Sequence, residues 1–442
     1  MIRILLFAAA LQTPQDTGRL SVTAAIDRAL ASHPAVAMAR AGVDVAAADV
    51  DQMRAAWLPS VSVDGSVNKF QKPMIVWPLH GLDLRNPPAF DTDISQASVG
   101  AAYTLFDFGA RGAKVRAAVS QREAASASLG AAEQQLVART VGAFLRVLTA
   151  RGVLAAEDQR VAALSAEASR ARERLAAGKA ARVDTLRAAA ELASAAADRV
   201  ASAANVMMAE HDLARLMGVP FEKVHGAALT RVQLAASAAA EDTARANLVS
   251  RAGASNADVQ SASRRAAAAE ASIGAAKAGR LPQFQATTAL VDRSNITGRW
   301  LSEWQVGVGL SWPVFTGGAR ASAIDRAEAT ARAAQEQLRL TQLATEQQVD
   351  DARAAYDASR ARVTAFSAAV EQTAEVARIT ALARDVGDGT QTDYLLAESD
   401  LFRARSGLVQ TQHALIAARV EMARVLGELN RSWITTSLES LP

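Results

Sequence analysis

The side chains that most often carry catalysis or bind metals are few in this sequence, and they are not grouped. The chain of 442 residues contains no Cys and only five His, which are His33, His80, His211, His225 and His413. These histidines show no ligand spacing with one another, and no glycine-rich phosphate loop opens a helix after a strand. We therefore predict a protein that is not an enzyme and that uses no cofactor and no metal.

Charge and composition exclude further classes of function. The formal net charge is +3, and no cluster of Lys and Arg dominates one segment, so we expect no nucleic-acid binding. The lack of Cys excludes a disulfide scaffold and a thiolate metal site. No stretch reaches the roughly 18 to 20 consecutive apolar residues that a membrane-spanning helix needs, so any membrane insertion would have to use strands.

The N-terminus has the pattern of a short secretory signal. Arg3 precedes an apolar run from Ile4 to Leu11, and Ala8 and Ala10 have the small-x-small spacing of a cleavage site. A buried N-terminal helix turn is the alternative. We expect residues 1–19 to be a signal peptide with an N-terminal extension.

Proline placement predicts very long helices. None of the eleven prolines lies between Pro88 and Pro220 or between Pro313 and Pro442, and these gaps are rich in strong helix formers. A single helix from Gly109 to Leu175 would be ~100 Å long. Apolar residues recur at coiled-coil spacing, although an ordinary core stripe would look similar. They are Leu401, Leu408, Leu415, Met422 and Leu429 in one set, and Val137, Val141, Phe144 and Leu148 in another.

Four segments alternate apolar and polar residues, as strands do. Their apolar positions are Val61, Val63 and Val67; Val99, Tyr103 and Leu105; Phe284, Ala286 and Leu290; and Trp304, Val306, Val308, Leu310 and Trp312. Each segment approaches the ~9 to 11 residues of a membrane-crossing strand, and five of the six Trp lie in or beside them. A lipid-facing outside with a wet lumen fits this pattern. A soluble two-sided sheet is the alternative.

The two halves of the chain carry the same pattern. Six correspondences share a displacement of 209 residues: Phe106 with Phe315, Gly109 with Gly318, Gly178 with Gly387, Asp184 with Asp393, Leu192 with Leu401 and Gly218 with Gly427. Upstream, Leu58-Pro59 matches Leu281-Pro282 at a displacement of 223, so the first hairpin is 14 residues longer. We assign the excess to an irregular loop from Lys69 to Asp93, because this segment carries Pro73, Pro78, Pro87 and Pro88.

Four strands cannot close a barrel, and an open sheet edge in hydrocarbon leaves backbone groups without hydrogen bonds. Several protomers would therefore have to share one barrel. Because bacterial single-chain barrels start at eight strands, two subunits are the minimum on this arithmetic alone.

The sequence resembles the TolC-like outer-membrane efflux ducts over about Leu20 to Leu429. The resemblance is carried by Leu30 to Pro34, Trp57-Leu58-Pro59, Phe106-Asp107-Phe108-Gly109, the Gly178 turn, Arg280-Leu281-Pro282 and Pro313 to Gly318. It implies an α+β membrane protein, with a long α-helical coiled-coil barrel, four strands per protomer of a transmembrane β-barrel and an internal two-fold repeat. A homotrimer would then make a twelve-stranded barrel in the outer membrane and a helical tunnel across the periplasm.

On this basis the chain divides into five segments. The signal segment 1–19 is followed by a first repeat at 20–218, with a strand pair at about 60–106. An equatorial connector occupies 219–240. The second repeat spans 241–430, with a strand pair at about 282–313, and 431–442 is a C-terminal tail.

The resemblance also suggests site residues, at two helix reversals. Gly178 and Gly387 supply positive φ at these reversals, and in the family the reversals form the periplasmic tip where an adaptor docks. Asp393 falls at a constriction aspartate of the family, and Asp184 at a latch aspartate. Aspartates gathered at a symmetry axis would attract cations and resist ionisation.

The match to the family's gate is incomplete. The second constriction aspartate is Leu396 here, the latch arginine is Gly389 and the latch tyrosine is Arg384. An Asp184–Arg384 ion pair is our hypothesis for a substitute latch. In the alternative interpretation, both aspartates merely favour helix starts, with Thr392 as a cap.

The predicted function is that of an outer-membrane exit duct in a tripartite efflux pump or type I secretion system. The expected partners are further copies of the chain, outer-membrane lipid, a periplasmic adaptor and a proton-driven or ATP-driven inner-membrane pump. A periplasmic or surface coiled-coil scaffold that transports nothing is the alternative. A periplasmic adaptor is a weaker one, since no lipoyl-like segment is evident.

Overall fold

The structure is a computed structural model that describes residues 19–76, 85, 90–179, 181–235, 244–295, 298, 300–386 and 388–441. The predicted signal segment, apart from Arg19, therefore lies outside the described residues, as do Trp77 and Gly387. In chain order the elements are β1 Arg19–Leu20, α1 Val22–Ser32, α2 Pro34–Ala55, β2 Ser60–Ile75, β3 Phe90–Phe106, α3 Ala110–Ala176, α4 Arg182–Met217, β4 Ala228–Leu229, β5 Arg231–Leu234, α5 Arg245–Ser255, α6 Ala257–Ala278, β6 Gln283–Asn295, β7 Trp300–Ser311, α7 Ala319–Val386, α8 Gln391–Val425, α9 Arg431–Ser437 and β8 Leu438–Leu441.

The chain forms two compact units. The first contains the described parts of Met1–Ala39, Ser128–Val259 and Gln342–Pro442, and the second contains those of Arg40–Ala127 and Gln260–Thr341. The first unit is mainly helical, with the short pairs β1–β4 and β5–β8, and the second contains a four-stranded sheet.

Two helices are far longer than an ordinary globular helix. α3 has 67 residues and α7 has 68, and neither contains Pro. The long helices predicted from the proline gaps are therefore confirmed. None of the described helices is both long and apolar enough to cross a membrane.

The largest core of the first unit lies where α1, α3, α4 and α8 meet. Val141 and Phe144 of the predicted stripe are fully buried there, against Ile26, Leu213 and Ile416. Each of these large side chains removes apolar surface from water worth about 1.5 to 3 kcal/mol. The predicted apolar stripe on α3 is therefore a core stripe at this point.

The sheet of the second unit has the strand order β2-β3-β6-β7, and every neighbouring pair is antiparallel. Its register places apolar residues in rows across one face, such as the row Val63, Val99, Leu290 and Trp304. The exposed fractions in this row are 77%, 47%, 47% and 75%. The opposite face carries rows such as Ser62, Gly100, Ala289 and Gln305. The period-two strands are confirmed, and their apolar face is uncovered within one chain.

The expected irregular loop from Lys69 to Asp93 is wrong in part. β2 continues to Ile75 and β3 begins at Phe90, with Met74 paired to Asp91. The pairing register shifts between Lys69 and Met74, which is where Pro73 lies. Pro is tolerated because β2 is an edge strand and because a bulge removes the need for its missing N–H.

Two glycines follow long helices and closely approach the end of a neighbouring helix. Gly218 follows α4 with φ +63°, and an added Cβ would lie 2.6 Å from Oγ of Ser32, the last residue of α1. Gly427 follows α8 with φ +76°, and an added Cβ would overlap the carbonyl oxygen of Ser255, the last residue of α5. Any side chain at Gly427 must displace backbone.

We expect Gly427→Ala to lower the thermal unfolding midpoint of the purified protein much more than Gly226→Ala. Both residues have positive φ, but a Cβ at Gly226 would meet nothing within 4 Å. Gly226→Ala therefore measures the effect of backbone strain alone, which costs about 1 to 2 kcal/mol. Equal midpoints for the two variants would contradict the close approach to Ser255.

Candidate functional site

The first candidate feature is the reversal between α3 and α4. Gly178 has φ +68°, which favours glycine, and an added Cβ would meet nothing within 4 Å. The N–H of Gly178 donates to the carbonyl of Leu175 at 2.9 Å, and the N–H of Lys179 donates to that of Arg174 at 2.8 Å. These bonds satisfy carbonyls at the end of α3. The predicted use of positive φ at Gly178 is confirmed.

The second candidate feature is the reversal between α7 and α8, where the backbone packs closely around Gly389. The N–H groups of Asp388 and Gly389 both donate to the carbonyl of Ala383, at 2.9 and 3.1 Å. A Cβ at Gly389 would lie 3.0 Å from the backbone nitrogen of Arg384. Because backbone atoms cannot move aside cheaply, the reversal disfavours the arginine that the family resemblance would put at this position.

Asp393 is part of a reciprocal cap at the start of α8. The hydroxyl of Thr390 accepts from the N–H of Asp393 at 3.1 Å. The Asp393 carboxylate accepts from the N–H of Thr390 at 3.3 Å and from its hydroxyl at 2.7 Å. The expected cap at Thr392 is wrong, because α8 begins at Gln391 and Thr392 is already its second residue.

Asp184 lies at the same position in the first turn of α4, but it makes only one direction of the reciprocal cap. Its carboxylate accepts from the N–H of Ala181 at 3.3 Å, and Ala181 has no side-chain oxygen to return the bond. Each aspartate thus lies in the first turn of its helix, where the macrodipole favours negative charge. The helix-start interpretation of both residues is confirmed, whereas their role in a gate stays a prediction.

Arg384 pairs with Glu167, not with Asp184 of the same chain. Nη1 of Arg384 lies 2.7 Å from Oε2 of Glu167, and the two side chains are 5% and 2% exposed. The guanidinium also lies over the ring of Tyr394, 4.1 Å from its centroid. Arg384 therefore ties α7 and α8 to α3 within one chain. The Asp184–Arg384 latch remains a hypothesis without a contact in this chain.

Further charges surround this pair. Arg170 approaches Glu167 at 3.1 Å, Asp385 accepts from Nη2 of Arg384 at 2.8 Å, and Arg174 lies 3.9 Å from Asp385. We call Glu167, Arg170, Arg384, Asp385 and Tyr394 the hairpin-end cluster. It contains two acids and two arginines, and Arg174 lies beside it as a further cation.

The electrostatics favour the ionised forms of Arg384 and Asp385. Burial alone would lower the pKa of Arg384, but its hydrogen bond to Asp385 and the charge of Glu167 outweigh burial and raise it. The same hydrogen bond lowers the pKa of the Asp385 carboxyl. Burial raises the pKa of Tyr394, helped by the charge of Glu398. At neutral pH, Arg384 is therefore a cation beneath a neutral phenol.

Sequence reasoning missed Glu167. The signal in the sequence for this residue is an acid among apolar residues of one helix face. In the structure, Leu164, Ala168 and Ala171 around it are buried. A buried acid needs a cation partner, but the partner lies 217 residues further along the chain. The starts of α4 and α8 are also joined, since Arg187 donates to the hydroxyl of Thr392 at 3.1 Å.

Comparison with known proteins gives one consistent result. The model of the outer membrane efflux protein family matches residues 25–219 and 248–428. The chain is 24% identical over 419 residues to the outer membrane efflux protein BepC of Brucella suis, covering 92% of this chain and 86% of BepC. It is 23% identical over 416 residues to the outer membrane protein TolC of Vibrio cholerae, covering 91% of this chain and 90% of TolC.

Solved structures show the same fold. The outer membrane protein VceC of Vibrio cholerae superimposes with a TM-score of 0.78 at 21% identity, and the match covers 92% of this chain and 96% of VceC. CusC, a protein described for its folding and transmembrane channel formation, gives a TM-score of 0.76 at 17% identity, covering 95% of each chain.

We expect Glu167→Gln to destabilise the protein strongly, because it removes the buried counter-charge of Arg384 and leaves only the exposed Asp385 as its partner. Breaking a buried pair by removing one partner costs about 3 to 5 kcal/mol. The matched control is Glu375→Gln. Its pair with Arg378 has side chains 65% and 55% exposed, for Arg378 and Glu375, so the change leaves no buried charge without a partner.

Thermal unfolding of the two variants and of Glu167→Gln/Arg384→Met measures the difference. The double variant should recover part of the loss, because no buried charge is then left unpaired. A Glu167→Gln midpoint as high as that of Glu375→Gln would show that the hairpin-end cluster does not stabilise this end.

Proposed function

The chain belongs to the outer membrane efflux protein family, and we propose that three copies form the outer-membrane exit duct of a tripartite efflux pump or type I secretion system. As a member of this family it is an outer-membrane transport channel and not an enzyme. In the proposed assembly, a periplasmic adaptor connects the duct to a proton-driven or ATP-driven inner-membrane pump. The duct itself is passive, so the pump supplies the energy.

The observation that carries this proposal is the uncovered apolar face of the sheet. Val61, Val63, Val306 and Val308 are 67% to 77% exposed within one chain. Leaving this face exposed to water would cost about 25 cal/mol for each Å² of apolar surface. Outer-membrane lipid would cover it, and the polar opposite face would line a wet lumen. A coiled-coil scaffold would have no use for this face.

The sheet edges support a shared barrel. β2 and β7 form the two edges of the four-stranded sheet. In hydrocarbon their free N–H and C=O groups would need partners, so the sheet must continue into another copy. Three copies would supply twelve strands, an even number within the range of bacterial barrels.

We also propose the internal repeat and the five segments set out from the sequence: 1–19, 20–218, 219–240, 241–430 and 431–442. Gly218 and Gly427 differ by 209 positions, and the helix-end residues they approach, Ser32 and Ser255, differ by 223. Both displacements match those of the sequence correspondences. The repeat would thus explain why the glycine at the end of each half packs against the end of the first helix of that same half.

The proposed gate lies at the two helix reversals. Asp184 and Asp393 would bring carboxylates from each copy towards the symmetry axis, while Arg384 holds α7 in place through Glu167. The reversals at Gly178 and Gly387 would dock the adaptor. What supports this is the position of both aspartates in exposed or half-buried first turns, where their charge can reach solvent.

We expect Val306→Lys to prevent insertion or assembly, because a lysine in the middle of a lipid-facing strand costs about 2 to 4 kcal/mol. The control is Gln305→Lys, one residue away on the opposite face, which a wet lumen would tolerate. Recovery of heat-stable oligomer from outer membranes compares the two. Equal recovery would contradict a lipid-facing role, since a water-exposed Val306 would accept lysine readily.

The gate proposal is tested by single-channel conductance in planar bilayers. We expect a small native conductance that divalent cations block, and a larger conductance without this block in Asp393→Ala. Because that change also removes half of a cap, Thr390→Ala is the control. It weakens the helix start by roughly 0.5 to 2 kcal/mol but keeps the carboxylate.

Three other results would revise these ideas. Divalent block that survives in Asp393→Ala would move the constriction elsewhere. Loss of block in Thr390→Ala as well would assign the effect to the cap and not to the charge. Folded trimers that form no channel would refute the duct.

A further inference from the structure

The chain passes from the sheet into a long helix twice, and the first of these passages contains a compensated cation. Asp107, between β3 and α3, accepts from the backbone N–H of Arg111 at 2.9 Å and from Nε of its side chain at 3.0 Å. Nη1 of Arg111 donates to the carbonyl of Ala56 at 3.3 Å, and its guanidinium lies 4.3 Å from the ring centroid of Trp57. We call these four residues the first junction. Its arginine has both an acid and an aromatic ring as partners within the chain.

The second passage, between β7 and α7, keeps the arginine and its backbone contact. Arg320 corresponds to Arg111 at the displacement of 209 residues, and Gly279 corresponds to Ala56 at the displacement of 223. Nη1 of Arg320 donates to the carbonyl of Gly279 at 2.8 Å, as Arg111 does to that of Ala56. The guanidinium of Arg320 is therefore held by the equivalent bond.

The acid and the aromatic ring of the first junction are both replaced in the second. Thr316 stands at the position of Asp107, and Arg280 stands at that of Trp57. We call Gly279, Arg280, Thr316 and Arg320 the second junction. Both of its arginines are exposed, and neither forms an ion pair with an acid of the described residues. The second junction thus has two cations where the first has a neutral ion pair.

The two arginines belong to one small region. Arg320 bonds the carbonyl of Gly279, which is the residue before Arg280. Nε1 of Trp312, the residue after β7, donates to the carbonyl of Arg280 at 3.2 Å. Asp325, the next acid along α7, makes no ion pair with either arginine in the described part of the chain. The positive charge of this region is therefore not compensated within one chain.

The second junction lies where the apolar face of the sheet ends. Trp312 continues the apolar alternation of β7 and is 57% exposed, and the neighbouring Val314 and Phe315 are 76% and 88% exposed. In the proposed barrel this face meets lipid, and the long helices extend into the periplasm. The level at which the strands pass into the helices is then the headgroup layer of the periplasmic leaflet, where Trp is the preferred side chain.

We propose that Arg280 and Arg320 bind the phosphate of an anionic phospholipid in the periplasmic leaflet, with Trp312 against its glycerol and upper acyl region. This inference rests on the proposed lipid-facing sheet. Guanidinium groups suit phosphate because their planar N–H donors match its oxygens, and such charge-assisted hydrogen bonds are strong. An anionic headgroup fits better than a zwitterionic one, because two cations face it and no acid of the junction repels it.

The surrounding surface favours a lipid over a soluble phosphate ion. A soluble ion would contact the arginines and leave Trp312, Val314 and Phe315 in water. A phospholipid satisfies both parts, since its acyl chains continue over the apolar face of β7. The first junction needs no such ligand, because Asp107 already supplies the negative charge. The repeat therefore predicts one lipid site in each copy, at the second junction.

Native mass spectrometry of the detergent-purified, full-length protein tests this site, with phosphatidylglycerol as the probe. One variant, Arg280→Gln/Arg320→Gln, removes both cations. A second variant, Thr316→Asp, keeps both cations and supplies the acid that the first junction has. The matched control is Arg332→Gln, which removes another exposed arginine of α7, about 18 Å further along the helix.

We expect the native protein to retain one phosphatidylglycerol per copy. Both test variants should bind it roughly tenfold more weakly, which is the effect of losing one strong charge-assisted hydrogen bond. Arg332→Gln should bind as the native protein does. Unchanged binding in either test variant would overturn the proposal, and so would an equal loss in Arg332→Gln, which would indicate a general attraction to basic residues. Displacement of the lipid by inorganic phosphate at similar concentration would assign the site to a soluble anion and overturn the lipid.

Oligomer mass and channel conductance of the same preparations separate this inference from the duct. Conducting trimers that bind phosphatidylglycerol no better than phosphatidylcholine would overturn the lipid site and leave the duct intact. Folded trimers that do not conduct, but lose the lipid in both test variants, would refute the duct and keep the site. Trimers that bind no lipid and dissociate in Arg280→Gln/Arg320→Gln would show that the arginines pair with a neighbouring copy, which also overturns the proposal.

Discussion

Backbone hydrogen bonding at the two sheet edges is the constraint on which the rest of this structure depends. β2 and β7 have only one neighbouring strand each, and a strand edge cannot face lipid without pairing. The helical unit also leaves apolar side chains uncovered, since Val183, Leu186 and Val200 of α4 and Ile379 and Val386 of α7 are 49% to 68% exposed. In the proposed assembly, further copies would cover both the strand edges and these side chains. Folding and assembly would then be coupled, and stability would depend on protomer concentration.

The hairpin-end cluster satisfies a different requirement. Alanine side chains are small and alike, so long alanine-rich helices do little to fix the position at which one helical hairpin packs on another. A buried ion pair with good geometry, by contrast, forms in few positions. Glu167 and Arg384 supply this fixed point, and Tyr394 covers it. The capping aspartates are separate from the cluster. Their carboxylates satisfy backbone N–H groups at the helix starts, so they are oriented before any partner or ion arrives.

The sequence allowed the long helices and the alternating strands to be predicted, because both depend on local patterns. Proline-free segments permit long helices, and period-two alternation sets the faces of a strand. The continuation of β2 through Pro73 was missed, since tolerance of proline depends on the strand being at an edge. The cap at Thr390 was missed by two residues, because the position of the reversal decides where α8 begins.

The candidate site was less accessible to sequence reasoning. Gly178 could be predicted from its place between two helical stretches, but the partner of Arg384 could not. Glu167 and Arg384 are far apart in the chain, and only tertiary packing brings them together. The preference for glycine at position 389 is similar, since it arises from the backbone of Arg384 approaching across the turn.

The bond between Glu167 and Arg384 also determines which parts can move independently. It lies inside one copy, where it fastens α7 and α8 to α3, and breaking it would leave two buried charges with only their more exposed partners, Arg170 and Asp385. In the proposed trimer, α3, α7 and α8 of one copy would therefore move together, and a change in the width of the channel end would come from shifts between copies, with this ion pair intact.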